Sequence, residues 1–129
     1  MTHQEIFDEV AAHLLTQKKQ AVNDEGVCLY RTPSGLSCAV GCLIPDDLYT
    51  PAIETGTPGN WHSGEGHHTG KHLAVILEAA GFVEGDMHLL RRLQQVHDNS
   101  RTVTGWKYGL VAVAEEFHFS SAILRAFPT

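Results

Sequence analysis

The chain opens on apolar positions that recur at helical spacing. Ile6, Phe7, Val10, Ala11 and Leu14 form one stripe and predict an amphipathic helix. Thr2 and Glu5 match the capping box, with Thr2 as N-cap and Glu5 reaching back to its amide. Lys18 and Lys19 suit the negative end of the helix dipole, and Asn23-Asp24-Glu25-Gly26 reads as a polar turn. The pattern then changes. Val27-Cys28-Leu29-Tyr30-Arg31 is rich in residues that favour a pleat. Thr32-Pro33-Ser34-Gly35 is a turn signal, and residues 36–44 supply a returning apolar run. Together they predict an antiparallel β-hairpin in which Arg31 faces Leu36 and Leu29, Leu36 and Cys38 share a face. A shift of one residue would change which thiols can meet.

Beyond Pro45, residues 45–49 read as one helical turn. Residues 50–70 carry so many Gly and Pro that a long irregular loop is expected. Helical spacing returns over residues 71–80, with Leu73, Ile76, Leu77 and Ala80 inward. Gly81 is placed as the residue that ends this helix, with Phe82 folding back on Leu77. Asp86 is expected to cap a third helix reaching about His97, with Leu89, Leu90, Leu93 and Val96 inward. A fourth helix, about 104–117, carries Trp106, Leu110, Val113 and Phe117 inward. The expected architecture is α+β: about four helices packed around a small antiparallel β-hairpin, in a single domain spanning residues 1–129.

Composition narrows the function. Nine Lys and Arg against fifteen Asp and Glu give a formal charge of −6, which disfavours direct nucleic-acid binding. No apolar run reaches the roughly 20 residues of a membrane span, and the polar start is not that of a signal peptide. Three cysteines, an odd count, suit free thiols in a reducing cytoplasm. No dinucleotide, P-loop, nucleophile-elbow or EF-hand motif is present.

Three constellations could carry chemistry. Cys28, Cys38 and Cys42 are simplest as small buried hydrophobes, although Cys38 with His97 as base would make a thiol site. The segment from Trp61 to His72 holds His62, His67, His68 and His72. His62, His68 and His72, or Glu65 in place of His62, could hold a Zn²⁺ ion, while a solvated histidine loop is the plainer alternative. The third set is polar: Arg31, Asp46, Asp47, Tyr49, His97 and Asp98 as binding residues, with Arg91 and Arg92 a thin basis for a phosphate site. Capping a turn is the simpler role for Asp46 or Asp47.

One resemblance enters here. Cys28-Leu29-Tyr30-Arg31, Gly35 and the run from Cys38 through Gly41, Cys42 and Pro45 to Tyr49 resemble a family of small uncharacterised bacterial and phage proteins. Ile6-Phe7, His13-Leu14-Leu15-Thr16-Gln17 and Leu93-Gln94-Gln95-Val96-His97-Asp98 are similar to that family too, so about two thirds of the chain is covered and residues 51–72 are not. The resemblance implies no catalytic residues. It implies a phage or prophage accessory role.

Two functions follow as expectations. One is a non-catalytic cytoplasmic protein that docks an acidic surface on a host protein, inhibiting a defence or regulatory complex, as an acidic protein can by occupying a basic groove. The other is a small enzyme or sensor using a metal at the histidine loop or a thiol at Cys38. A homodimer joined along the exposed hairpin edge is a third arrangement.

Overall fold

The computed structural model describes residues 1–54 and 68–127, excepting the side chains of residue 52 and of residues 68–72. Its regular elements are helical: α1 (His3–Gln17), α2 (His68–Ala79), α3 (Met87–Asn99), α4 (Val103–Phe117) and the single turn α5 (Ala122–Arg125). Short 3₁₀ turns lie at Gly41–Leu43, Pro51–Glu54 and Glu84–Asp86.

The helices form where local chemistry places them. The capping box of α1 is complete: Glu5 N–H donates to Thr2 Oγ1 at 3.1 Å, and Thr2 N–H donates to Glu5 Oε1 at 2.7 Å. Lys18 ends α1 in a left-handed conformation, its N–H on Leu14 O at 2.9 Å. α2 closes through Gly81 at φ +98°, with Phe82 N–H on Leu77 O and Gly81 N–H on Glu78 O, both at 3.0 Å. Asp86 departs from its expected role. Its carboxylate takes Val83 N–H at 2.9 Å and His3 Nε2 at 2.8 Å rather than capping α3. Thr102 caps α4 by accepting from Gly105 N–H at 3.0 Å.

α1, α3 and α4 pack on one another, α5 covers α1, and α2 rests on the Pro51–Glu54 turn. The core runs from Ile6, Phe7 and Leu14 of α1 through Leu89 and Leu93 of α3 to Trp106 and Leu110 of α4. Gly109 lets α4 approach α3 closely, since a Cβ there would meet Val96 at 3.0 Å. No helix among the described residues is long and apolar enough to cross a membrane.

The expected β-hairpin does not form, and the fold is therefore not α+β. Among the described residues there is no sheet, only two isolated antiparallel bridges, Val22 with Cys28 and Arg31 with Ser37. The turn at residues 32–35 is present, with Gly35 N–H on Thr32 O at 3.1 Å and Gly35 at φ +96°. The register differs by one residue from that expected, Arg31 facing Ser37 instead of Leu36. After Cys38 the chain coils: Cys42 N–H reaches Cys38 O at 3.1 Å and Leu43 N–H reaches Val40 O at 3.0 Å.

The reason lies in where the backbone donors go. Tyr30 and Arg31 N–H donate to the two carboxylate oxygens of Glu54, each at 2.9 Å. Ser37 N–H donates to Gln17 Oε1 and Val40 N–H to Gln94 Oε1, both at 3.0 Å. Buried amides need acceptors, but nothing requires those acceptors to be a neighbouring strand. Side chains from α1, α3 and the Pro51–Glu54 turn meet them here, so the ladder stops after one bridge on each side. A dimer through a hairpin edge loses its basis with it.

Candidate functional site

Two clusters gather the chemically capable side chains. The first is a cleft of about 670 Å³ between α1, the 32–37 turn and the 44–46 segment. Arg31 forms its charged end. Nη1 donates to Asp46 Oδ1 at 2.7 Å, Nη2 donates to Ile44 O, and the guanidinium carbon lies 4.8 Å from the centre of the Tyr49 ring. Tyr49 is held in turn, its hydroxyl donating to Glu54 Oε2 at 2.7 Å. Burial, and then the hydrogen bond to Glu54, push the Tyr49 phenol above its ordinary range. The Asp46 side chain is 97% exposed and that of Arg31 only 22%. His13 lines the opposite wall, its Nε2–H donating to Ser37 O at 2.9 Å. Burial lowers the His13 pKa, which favours the neutral ring and leaves Arg31 as the cleft's full positive charge.

The second cluster is internal and sits where α3 ends against the loop. His97 is fully buried. Its Nε2 accepts from Ala21 N–H at 3.0 Å, which fixes the proton on Nδ1, and Nδ1–H donates to Asp98 Oδ1 at 2.8 Å. The same carboxylate oxygen accepts from Gln94 Nε2 at 2.9 Å, and Asp98 also accepts from the Cys28 thiol. Gln20 Nε2 donates to His97 O at 2.9 Å and Trp106 Nε1 to Ser100 O at 2.8 Å, so these two carbonyls at the end of α3 are satisfied. The His97 and Trp106 rings stack with centroids 5.9 Å apart.

The expected binding residues therefore separate. Arg31 and Asp46 line the cleft, and Tyr49 packs against the Arg31 guanidinium. His97 and Asp98 form the internal network. Asp47 is exposed beside Asp46. Arg91 and Arg92 diverge, with Arg92 paired to Glu116 at 2.9 Å. Of the expected Zn²⁺ site, His62, Glu65 and His67 lie outside the described residues, as do the side chains of His68 and His72, whose backbone begins α2.

Cys38 does not meet His97 as a thiol–base pair would. Its sulfur accepts from Gly41 N–H at 3.2 Å, and complete burial holds its pKa well above normal. Cys28 is the thiol beside His97: Cys28, His97 and Asp98 bring potential ligand atoms within 4.8 Å of one another. The set does not fit a metal ion well. An ion taken through Nδ1 would leave the imidazole proton on Nε2, pointing at the Ala21 N–H that Nε2 now accepts. It does not suit nucleophilic catalysis either, because burial first and the Asp98 charge second push the Cys28 thiol up to about 11. Burial of the half-buried Cys42 pushes its thiol up to about 12.

Sequence reasoning missed Glu54, Gln94 and Gln20. Gln94 had a signal, a polar residue four positions after Leu90 within an apolar helical stripe. Glu54, in a Gly- and Pro-rich stretch, had none. Comparison of the chain with protein-family models, with curated proteins and with solved structures gives no match.

Proposed function

We propose that this is a non-catalytic binding protein, of the phage or prophage accessory kind, which acts in the cytoplasm by docking on a host protein and inhibiting a defence or regulatory complex. The observation that carries this reading is the condition of the reactive groups. Cys28, Cys38 and Cys42 are free thiols whose pKa values are all raised, and both ring nitrogens of His97 are engaged. A nucleophile needs a thiolate or an adjacent free base, and these side chains offer neither near neutral pH. Cys28 and His97 instead tie the 20–44 loop to the end of α3, through Asp98 and the Ala21 N–H, while Cys38 and Cys42 bond to backbone within the loop. The net charge of −6 supports approach to a basic partner.

The test is capture from host lysate by the immobilised full chain, at low and moderate salt. A single partner retained in stoichiometric amount and released by salt supports the proposal. No such partner across several bacterial hosts refutes it.

A further inference from the structure

We propose that the cleft around Arg31 is a binding site for a carboxylate carried on a short aliphatic stem, with Asp46 acting as a built-in competitor for the same guanidinium. The inference rests on the reading of the protein as a binder and names the chemistry that one of its surfaces recognises.

Three features of the cleft lead to this. The guanidinium is preorganised. Its Nη2 is tied to Ile44 O, its face lies on the Tyr49 ring, and Tyr49 is itself pinned by Glu54. A ligand meeting it would not have to order a long flexible side chain, which is a large part of the cost of binding through arginine. Next, its counter-ion is cheaply displaced. Asp46 makes a single contact to Nη1 from an almost fully exposed position, and ion pairs of that kind contribute little. A carboxylate arriving from solvent would take over the same Nη1–H while Asp46 turned back to water.

The third feature selects the ligand. Arg31 Nη2 is committed to Ile44 O, whereas the partner of Nη1 is the displaceable Asp46, so Nη1 is the donor an entering anion can take over. Asp46, once displaced, stays beside the site with Asp47 next to it in the chain, and these carboxylates repel the second charge of a phosphate more than the single charge of a carboxylate. Beside Nη1, Leu36, Cys42 and Pro45 supply apolar wall, against which a few methylenes can be removed from water. An aliphatic acid, either free or as the side chain or C-terminus of a protein partner, matches both halves of the cleft.

The experiment titrates valerate, acetate and inorganic phosphate into the ¹⁵N-labelled full chain and follows the Arg31 side-chain and the Leu36 and Cys42 backbone resonances. Valerate should give saturable shifts at these three residues and bind more tightly than acetate, and phosphate should give no saturation. Arg31→Gln should abolish the response. Because Arg31 also holds Ile44 O, that variant could loosen the loop, so Asp46→Asn is the decisive one. It touches only an exposed contact and should tighten valerate two- to fivefold. Non-saturating shifts, shifts that survive Arg31→Gln, phosphate binding as tight as valerate, or an Asp46→Asn variant that binds no better would each overturn the proposal. The two readings fail separately. Saturable valerate binding without any captured partner leaves the site standing and removes the accessory role. A partner captured equally well by Arg31→Gln keeps that role and removes this site from it.

Discussion

Gly41 is the position at which one methyl group should do most damage. A Cβ there would lie 2.0 Å from Tyr30 O and 2.8 Å from Tyr30 C, where ordinary contact begins near 3.4 Å. The obstacle is backbone, not the end of a flexible side chain, so about 1.4 Å of movement must come from the chain itself. That backbone is held on two sides: Cys38 N–H donates to Tyr30 O at 3.0 Å, and Tyr30 N–H donates to Glu54 at 2.9 Å. Moving it strains or breaks the Cys38 bond, at about 1 kcal/mol plus the cost of a buried amide left without a partner. Overpacking adds about 1–3 kcal/mol. Gly41→Ala should therefore lose about 3 kcal/mol in urea denaturation and lower Tm by about 10 °C. Two other glycines serve as controls. Gly35 has open space but φ +96°, so Gly35→Ala should lose about 1 kcal/mol. Gly85 has open space and no positive φ, so Gly85→Ala should be neutral or slightly stabilising. A Gly41→Ala variant within 1 kcal/mol of the native chain, or one no worse than Gly35→Ala, would refute the reasoning.

The thiols give a second test: at pH 8, alkylation of Cys28 read by mass spectrometry should run about a hundredfold slower than that of an ordinary thiol, because its pKa stands at about 11 against 9.0. The linked stability has a definite sign. A raised thiol pKa means that the folded chain holds its protons longer, so this contribution is complete below pH 9 and is lost as pH rises through about 11 for Cys28 and about 12 for Cys42; urea midpoints that stay flat from pH 8.5 to 11 would contradict it. Glu54→Gln keeps one oxygen acceptor but turns an amide donor against one of the Tyr30 and Arg31 N–H groups, and should lose about 2 kcal/mol, measured by the same denaturation. His97→Leu leaves Ala21 N–H without its acceptor and Asp98 without its ring donor, and should lose about 3 kcal/mol with a change in the near-ultraviolet signal of Trp106.

Local pattern alone determined α1, α3 and α4, the left-handed ending of α2 at Gly81 and the turn at residues 32–35. In each, the deciding interaction lies within about five residues: an apolar stripe, Thr2 with Glu5, Phe82 with Leu77. It also brought Arg31, Asp46 and Tyr49 forward as candidates, since charged and aromatic residues flanking an apolar run are conspicuous. The tertiary structure decided the rest. Residues 27–44 have a β-prone composition, and no local rule reveals that Glu54, Gln17 and Gln94 will accept their amides. Gln94 is 54 positions from Val40, and His97 is 76 from Ala21. Composition says what conformation a backbone can adopt at little cost. Which conformation it does adopt depends on which acceptor reaches each buried N–H first, and here those acceptors are side chains on distant helices and turns, so a stretch suited to a sheet is folded into a loop that presents a guanidinium.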